Sequence, residues 1–417
     1  MTPTAQAGIE ATAALPQQPV APAARVFMLD LLSIVPYYTS ELSAALLRGH
    51  GVELELGAIS YYLDPDCYRR HGLSFSPAIR DVVSRAGRVP RPVRRIAKTV
   101  EYLANLTRIR TRFRTTKPDL VHVQFLPLVL FGSSVELRFL RSLRRLGIRI
   151  VYTVHNVLPH DASPNLRSHY AELYNLADHL ICHDVPSSRQ LIQDFGQARN
   201  RISLIAHGPL LTPDRQDSEA ARGRLGLSPS DCLILWQGIL RPYKGVEFLL
   251  DAWRNVRTFG KPARLAIVGG GDDAIERRIR AKVMELNLTH SVQLDLRFVS
   301  VPELQDYHAA ADVLVYPYSE VTTSGALMTG IGYGKAVIAS RLPAFEQILR
   351  HDRNALLAAY GDVEEWSGNI ERLIADPSLR LRLGESLRGG SSAVPDWDCI
   401  ARQTVACYHS VLRSRTR

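Results

Sequence analysis

The sequence predicts an α/β protein with two doubly wound parallel sheets that face a central cleft. From Arg25 onward, short apolar runs alternate with amphipathic helical segments, which is typical of this class. The runs form two successive series, and the polar stretch TPDRQDSEAARGRLGLSPSD separates them. The 417 residues are enough for two domains of ordinary size. Ligands of such sheets bind beyond the C-terminal ends of the strands, so the cleft is the expected active site.

The apolar runs predict eleven strands, six in the first series and five in the second. The first six fall near Val26–Leu32, Val52–Ser60, Leu120–Phe125, Ile150–His155, Leu180–His183 and Ile202–Ala206. The other five fall near Cys232–Trp236, Arg264–Val268, Val292–Leu296, Val313–Tyr316 and Ala336–Ala339. We therefore divide the chain into a disordered tail (1–24), an N-terminal domain (25–211), a C-terminal domain (212–395) and a final helix (396–417). This helix is expected to pack back toward the N-terminal domain.

Bulk composition narrows the class of protein. Hydrophobic residues make up 46% and charged residues 22% of the chain, as in ordinary soluble proteins. No apolar run is long enough to predict a transmembrane helix, and residues 1–24 lack the basic start and apolar stretch of a secretory signal. The five cysteines have no CxxC spacing, which disfavours a zinc site or disulfide framework and fits a reducing cytoplasm.

Positive charge is concentrated in the N-terminal half. The net charge is +10, and residues 85–117 contain eleven Lys or Arg and one acid, Glu101. Such a segment attracts phosphate-rich partners, and an anionic membrane surface or a lipid-phosphate substrate is the favoured interpretation. A solvated helix face stays open as an alternative. Specific nucleic-acid binding is disfavoured, because no nucleic-acid-binding module is recognisable.

The segment CLILWQGILRPYKGVEFLLDAW carries the clearest chemical signal. A buried strand is followed by a turn with Arg241 and Lys244, and then by a helix whose Val246, Leu249, Leu250 and Trp253 share one face. Free N–H groups at a helix start and two nearby cations suit a polyanion, most plausibly a diphosphate. The alternative is a surface turn whose cations are only solvated.

Eight segments in order resemble the GT-B glycosyltransferases of family 4. They are LLRGHGVELEL, PDLVHVQ, VYTVHN, RISLIAHG, GILRPYKGVEFLLDAW, LAIVGGG, LQDYHAAADVLVYPY and GYGKAVIAS. The resemblance implies a GT-B fold of two Rossmann-like domains. It also implies transfer of a sugar from a nucleotide-diphosphate donor to an acceptor hydroxyl, with retention of configuration and without a metal or other cofactor.

The resemblance also assigns roles to residues. Lys244 matches the family's diphosphate-binding lysine. Arg241 replaces an arginine that many members carry directly after the turn glycine, where this chain has Ile239 after Gly238; an RPYKG-containing subgroup is indicated. His155 matches the histidine that holds the donor sugar. Arg241, Lys244 and His155 are thus the expected catalytic residues.

The segment YPYSEVTTSGALMTGIGYGKAVIAS departs from the family. Members show two glutamates eight residues apart here, and those positions are Val321 and Thr329 in this chain. A one-residue offset makes Glu320 the first glutamate, but the second is missing in either register. A hydroxyl-rich turn opens a predicted helix instead, and its groups suit phosphate oxygens. The expected donor-binding residues are Gly238, Glu320, Thr322, Thr323, Ser324 and Gly325.

Other candidates are weaker. His122, on the preceding strand, is a less certain functional residue, and His207–Gly208 is expected to shape the hinge or support the cleft. The His160–Asp161 pair lacks a third ligand at useful spacing, so no metal site is predicted. Residues 269–271 are three glycines, for which we expect a structural or cleft-lining role.

The sequence as a whole predicts a glycosyltransferase located in the cytoplasm and peripheral at the inner face of the membrane. The expected acceptor is a lipid-linked molecule or a glycan, as in polysaccharide assembly. Two alternatives stay open, namely a catalytically degenerate GT-B binding or scaffold protein and a GT-B sugar-nucleotide epimerase. Donor hydrolysis without acceptor separates the enzymes from the scaffold.

Overall fold

A computed structural model describes residues 24–84, 90–158, 164–211, 217–389 and 395–414. The expected disordered tail lies outside these residues, except Ala24, which begins the first strand. Twelve strands occur in the described residues: β1 Ala24–Asp30, β2 Val52–Ala58, β3 Leu120–Val123, β4 Arg149–Val154, β5 His179–Cys182, β6 Ile202–Leu204, β7 Cys232–Gln237, β8 Ala263–Val268, β9 Val292–Asp295, β10 Val313–Tyr316, β11 Ala336–Ser340 and β12 Leu356–Ala358. All eleven predicted strands are confirmed, and β12 was not predicted.

Fourteen α-helices connect and cover these strands within the described part of the chain. They are α1 Pro36–Leu47, α2 Arg91–Arg112, α3 Val135–Arg145, α4 Pro164–Leu176, α5 Val185–Phe195, α6 Ser218–Arg224, α7 Val246–Arg254, α8 Asp273–Glu285, α9 Val301–Ala310, α10 Gly325–Gly332, α11 Pro343–Glu346, α12 Val363–Ala375, α13 Pro377–Gly389 and α14 Trp397–Arg413. No helix among the described residues is both long enough and apolar enough to cross a membrane.

The strands form two six-stranded parallel sheets. The first has the order β2-β1-β3-β4-β5-β6, and the second has the order β12-β11-β10-β7-β8-β9. Helices cover both faces of each sheet, so central strands such as β7 are buried along their whole length and contain an uninterrupted apolar run. This arrangement confirms the predicted class of two doubly wound sheets and has the GT-B form.

Each sheet has a hydrophobic core on both faces. Trp236 and Trp366 are fully buried on one face of the second sheet, where the predicted apolar face of α7 also packs. On the other face of that sheet lie Tyr316 and Phe345. One core of the first sheet includes residues from α14, which returns from the second sheet to pack against α1.

Two hydrogen bonds hold the segment 208–210, where the chain passes from the first sheet toward the second. The indole N–H of Trp397, at the start of α14, donates to the carbonyl oxygen of Pro209 over 2.8 Å. A Cβ atom on Gly208 would lie 2.6 Å from the Trp397 ring, so only glycine permits this close packing. On the opposite side, the N–H of Leu210 donates to the Thr329 hydroxyl over 2.9 Å. The segment 208–210 is therefore attached to both α14 and the second sheet.

Candidate active site

The C-terminal ends of strands from both sheets meet at one cleft. The turn before α10 reaches across it to the loops after β4 and β5. The hydroxyl of Thr322 donates to Asn156 Oδ1 over 3.2 Å, and that of Thr323 donates to Asp184 Oδ2 over 2.9 Å. Elsewhere along the cleft, the rings of Tyr61 and Phe298 pack edge to face, with centroids 6.3 Å apart. The sequence-predicted site residues Thr322 and Thr323 thus bond across the cleft.

The turn after β7 has a conformation fixed by its own sequence. Arg241 is extended, a short 3₁₀ turn begins at Pro242, and Gly245 has φ +66° before α7. A Cβ on Gly245 would lie 1.8 Å from the carbonyl oxygen of Pro317, so glycine is required for this contact. The indole N–H of Trp236 donates to the carbonyl oxygen of Lys244 over 3.3 Å. These contacts hold the turn against the loop that follows β10.

Lys244 is half-buried within this turn. Its Nζ lies 5.7 Å from the centroid of the Tyr318 ring, and a Cβ on Gly238 would lie 2.8 Å from the same nitrogen. Burial, and then the positive charge of Arg241, lower the pKa of Lys244 to about 8. An anion bound beside both cations would relieve this mutual repulsion. Lys244 and Arg241 are therefore brought together as the sequence predicted.

Arg241 and Glu320 lie at the exposed edge of the same turn. The N–H of Ser319 donates to the carbonyl oxygen of Tyr243 over 2.8 Å, which holds the loop after β10 beside it. Burial raises the pKa of Tyr243, Arg241 lowers it, and Glu320 raises it, so both charges are near the phenol. Tyr243 thus lies near both Arg241 and Glu320.

The hydroxyl-rich turn does open a helix, as predicted. Ser324 is the N-cap of α10, and its hydroxyl accepts from the N–H of Leu327 over 3.2 Å. A Cβ on Gly325 would lie 2.6 Å from Leu210, so this helix start approaches the segment 208–210 closely. The N-terminus of α10 therefore directs its positive dipole end into the cleft.

Thr329 occupies the position where the family resemblance places a second glutamate. Its side chain is buried and accepts the hydrogen bond from Leu210. Val321, the alternative first-glutamate position, is half-buried. Position 329 thus helps to hold the two halves of the chain together and carries no carboxylate toward the cleft.

His155 lies at the cleft among other aromatic side chains. Its ring is half-buried, and Nε2 is 3.2 Å from Gln124 Oε1, to which it donates. Its ring centroid is 4.9 Å from that of Tyr38 and 5.3 Å from that of His183. Burial, followed by the neighbouring histidines, lowers the pKa of His155 well below its usual range. The neutral imidazole is suited to hydrogen bonding rather than to carrying charge.

His122 differs from His155 in its surroundings. It is fully buried inside the first sheet, with Nδ1 2.7 Å from the Tyr408 hydroxyl and Nε2 2.7 Å from the Thr153 hydroxyl. Burial lowers its pKa to about 3. These bonds satisfy both ring nitrogens, so His122 stabilises the fold. The pair His160–Asp161, for which no metal site is predicted, lies outside the described residues.

The glycines 269–271 pack against the turn after β7. Gly269 has φ +127°, and a Cβ there would lie 2.1 Å from the carbonyl oxygen of Gly238. Asp272 caps α8 by accepting from the N–H groups of Ala274 and Ile275. The glycines therefore allow two turns to approach each other at the cleft floor, and the acid that follows them has a capping role.

His183 and Asp184 are cleft residues that the sequence did not single out. Tyr38 packs among three histidines that follow neighbouring strands: His155, His183 and His207. The signal was present, because each of these histidines follows the end of a parallel strand. The position of Asp184 in the sequence is also typical of an ordinary N-cap residue. In the structure it is the N-cap of α5 and accepts from the N–H of Ser187 over 2.7 Å.

Among the described residues, no group of three or more His, Cys, Asp or Glu side chains is arranged to hold a metal ion. The polar groups at the cleft are two cations, a helix N-terminus, neutral imidazoles, hydroxyls and the carboxylate of Asp184. This combination can bind an anionic leaving group on one side and a hydroxyl-rich molecule beside it.

Comparison with known families agrees with this geometry. Residues 35–208 match the family model described as Glycosyltransferase Family 4, and residues 231–376 match the model described as Glycosyl transferases group 1. The two matches together cover most of the chain and coincide with its two sheets. Each half of the chain therefore resembles a family of glycosyltransferases, and the chain has the GT-B fold.

The curated proteins that match this chain in sequence are only distantly related to it. The chain is 28% identical over 255 residues to a D-inositol 3-phosphate glycosyltransferase of Acidothermus cellulolyticus, covering 59% of this chain and 56% of the relative. It is 27% identical over 213 residues to a protein of the same name from Rhodococcus erythropolis, covering 50% and 48%. The chain thus matches about half the length of these curated relatives.

Solved structures show the same fold. HepE of Anabaena, in complex with UDP and glucose, aligns with a TM-score of 0.71 at 17% identity, covering 93% of this chain and all of HepE. Sucrose-phosphate synthase of Thermosynechococcus elongatus aligns with a TM-score of 0.71 at 20% identity, covering 94% and 100%. At these identities the likeness concerns the fold alone.

Proposed function

We propose that the protein transfers a sugar from a nucleotide-diphosphate donor to an acceptor hydroxyl. The observation that carries this proposal is the pairing of Lys244 and Arg241 with the N-terminus of α10 at one cleft. A lysine whose pKa is lowered by burial and then by a second cation gains most from a ligand with two or more negative charges. The HepE complexes with UDP and glucose support a nucleotide-sugar donor.

The reaction proposed for this site is a front-face displacement with retention and without a metal. The bond between the sugar C1 and the β-phosphate oxygen breaks, and a bond from C1 to the acceptor oxygen forms. The acceptor proton passes to the departing phosphate. Lys244 and Arg241 stabilise the negative charge that develops on the diphosphate, which is the largest catalytic effect open to such a site. Neutral His155 holds the donor sugar through a hydrogen bond.

The test is hydrolysis and binding of GDP-, UDP-, ADP- and dTDP-sugars with and without magnesium. Stabilisation of the protein by one nucleotide class, together with slow donor hydrolysis lost in Lys244→Met, would support the proposal. A ligand at 100 times its Kd adds about 2.7 kcal/mol to the free energy of unfolding, which shifts Tm visibly. If no nucleotide binds, the chain is a scaffold with a transferase fold. Conversion of the donor to an epimer would favour the epimerase alternative.

The acceptor proposed here is lipid-linked or a glycan at the inner membrane surface.

Helix α2 combines basic residues with four large aliphatic side chains that are exposed at helical spacing: Val93, Ile96, Val100 and Leu103. Ile96 is 67% exposed, although a soluble helix normally buries such a face. Cationic amphipathic helices of this kind bind anionic membranes in the plane of the interface. This surface is the favoured place for peripheral membrane contact.

Vesicle sedimentation tests the membrane contact. Binding to vesicles of phosphatidylcholine with phosphatidylglycerol, but not to pure phosphatidylcholine, is expected, and it should weaken with salt. Replacing Val93, Ile96 and Val100 with serine should weaken binding on the order of tenfold or more, since their burial would be lost. Leu381→Ser is the matched control, because Leu381 on α13 is also 67% exposed. Equal loss in both variants would contradict a specific role of α2.

A further inference from the structure

A chain of hydrogen bonds connects His155 at the cleft with α14 through the interior of the first sheet. Nε2 of His155 is 3.2 Å from Oε1 of Gln124, and Nε2 of Gln124 is 3.2 Å from Nε2 of His122. Nδ1 of His122 is in turn 2.7 Å from the hydroxyl of Tyr408 on α14. Gln124, His122 and Tyr408 are fully buried, so water cannot replace any of these partners.

Met28 on β1 determines which way the amide of Gln124 points. Nε2 of this amide donates to Sδ of Met28 over 3.0 Å. A thioether sulfur can only accept, so the NH2 group and not the carbonyl oxygen of the amide must face it. The oxygen Oε1 is therefore turned toward His155. An amide, unlike an imidazole, cannot exchange its donor and acceptor ends by moving a proton.

The fixed amide assigns one proton to each neighbouring ring. Because Oε1 of Gln124 accepts, His155 carries its proton on Nε2. Because the amide NH2 and the Thr153 hydroxyl donate, Nε2 of His122 accepts, and His122 donates from Nδ1 to Tyr408. Burial keeps both rings neutral, since it lowers the pKa of His122 to about 3 and that of His155 well below its usual range. Each ring thus has one tautomer that completes the chain.

The consequence for a ligand lies at the other nitrogen of His155. Nδ1 makes no hydrogen bond within the described residues and, unlike Nε2 of His183, it is not one of the fully buried atoms. A neutral ring that is protonated on Nε2 presents a lone pair and no proton at Nδ1. This nitrogen can accept from a hydroxyl, and it repels a group that only accepts.

We propose that Gln124 is a positioning residue that confines the proton of His155 to Nε2, so that Nδ1 accepts from a hydroxyl of the donor sugar. This inference rests on the proposed glycosyl transfer and on the role given there to His155. It names the atom that meets the sugar and makes this contact depend on a buried side chain behind the cleft. The chain through His122 and Tyr408 attaches the same setting to α14.

NMR of the whole protein labelled with ¹⁵N-histidine tests the tautomer without any ligand. His155→Gln identifies the signals of His155 by their loss. In the wild type, Nε2 of His155 should be protonated and Nδ1 unprotonated throughout pH 6 to 8. In Gln124→Leu, Nε2 loses its acceptor, and the proton should be shared between the two nitrogens. A proton on Nδ1 in the wild type, or an unchanged tautomer in Gln124→Leu, would overturn the proposal.

Gln124→Glu is a second variant with an opposite expected effect. A carboxylate still accepts from Nε2 of His155, but its charge raises the pKa of that ring. His155 should then take a second proton on Nδ1 as pH falls, and Nδ1 becomes a donor. Turnover of this variant should therefore decrease from pH 8 to pH 6, whereas the wild type keeps its turnover. A pH profile like that of the wild type would contradict the role of Gln124, because a merely structural glutamine would not move it.

Donor hydrolysis measures the effect on the proposed reaction. The probes are GDP-mannose and the glucose donors of UDP, ADP and dTDP. In Gln124→Leu, kcat should fall about tenfold, because one hydrogen bond to the sugar is lost, while the Kd of the free nucleoside diphosphate stays unchanged. Gln197→Leu is the matched control. Gln197 is also buried in the first domain, and its amide donates to Asn175 and Phe195.

The results separate the two proposals. A kcat of Gln124→Leu equal to that of the wild type, or an equal loss in Gln197→Leu, would overturn the positioning role. Weaker binding of the nucleoside diphosphate in Gln124→Leu, in proportion to kcat, would overturn it too, because the effect would then not concern the sugar. Absence of hydrolysis and of nucleotide binding in the wild type contradicts the proposed function itself, and the NMR result does not depend on it.

Discussion

The lowered pKa of Lys244 predicts a specific pH dependence of nucleotide binding. In the free protein this pKa is about 8, because the ammonium is buried and lies near Arg241. A diphosphate favours the protonated lysine, so binding should raise the pKa and take up a proton at alkaline pH. The affinity for UDP or the preferred nucleotide should therefore be constant near neutral pH and fall as pH rises above 8.

The magnitude follows from the protonated fraction. At pH 9, a group with a pKa of about 8 is protonated in roughly one molecule in eleven, so the Kd should be about tenfold higher than at pH 7. Isothermal titration calorimetry between pH 7 and 9.5 measures this Kd. The terminal phosphate of the nucleotide is already ionised in that pH range, so its own titration does not contribute. Lys244→Met should bind more weakly at pH 7 and lose this dependence, and its turnover should fall about 10²–10³-fold.

Two controls make the test decisive. Lys282→Met removes another lysine, whose Nζ lies 2.6 Å from Asp251 outside the cleft, and should keep the wild-type profile. The lowered pKa also means that charged Lys244 opposes folding below pH 8, and this opposition disappears as pH rises through the ordinary lysine pKa. At pH 7 the free Lys244→Met variant should therefore have an equal or higher Tm. A wild-type Kd that is independent of pH, or a dependence that survives in Lys244→Met, would refute the reasoning.

Three further predictions concern other parts of the cleft. Because burial keeps His155 neutral, kcat/KM should show no ionisation of this group between pH 6 and 7.5; a step that disappears in His155→Gln would contradict this. Gly245→Ala places a Cβ 1.8 Å from the Pro317 carbonyl oxygen at φ +66°. This substitution should lower the free energy of unfolding by about 2–5 kcal/mol and weaken nucleotide binding. Thermal melts would detect the first effect and nucleotide titrations the second. Thr323→Val removes the bond to Asp184 and should weaken donor binding about fivefold, corresponding to about 1 kcal/mol; unchanged affinity would show that this contact does not support closure.

The strands were predictable because both sheets are buried on both faces. A strand such as β7 is then apolar over a continuous run, here Cys232–Trp236, and this run is visible in the sequence. Strand β12 was missed for the opposite reason. It has three residues, Leu356–Ala358, at the edge of its sheet and follows a polar loop, so its apolar run is too short to distinguish from a helix turn or loop.

The cation pair was predictable because its partners are close in sequence. Arg241 and Lys244 belong to one short turn between a strand and a helix, so local pattern alone places them together. The histidines required tertiary structure. His122 and His155 both lie near strand ends, but His122 bonds to Tyr408, which is 286 residues away on α14. No local pattern contains that partner.

The contacts across the cleft differ in strength along its length. At one end, the Thr322–Asn156 and Thr323–Asp184 bonds join exposed or half-buried hydroxyls, and each such bond contributes a net 0.5–1.5 kcal/mol, roughly. At the other end, the segment 208–210 is held by Thr329 and by Trp397 in close packing. Separation of the sheets should therefore begin at the turn 322–323.

That turn leads directly into α10. Opening there would give a donor access to the N-terminus of that helix. Closure would then bring Ser324 and the N-terminus of α10 against the diphosphate while Thr323 rejoins Asp184. The two bonds broken on opening cost only a few kcal/mol, roughly, and closure forms them again. If the proposed function holds, the hydroxyls of the turn should therefore couple donor binding to closure of the cleft.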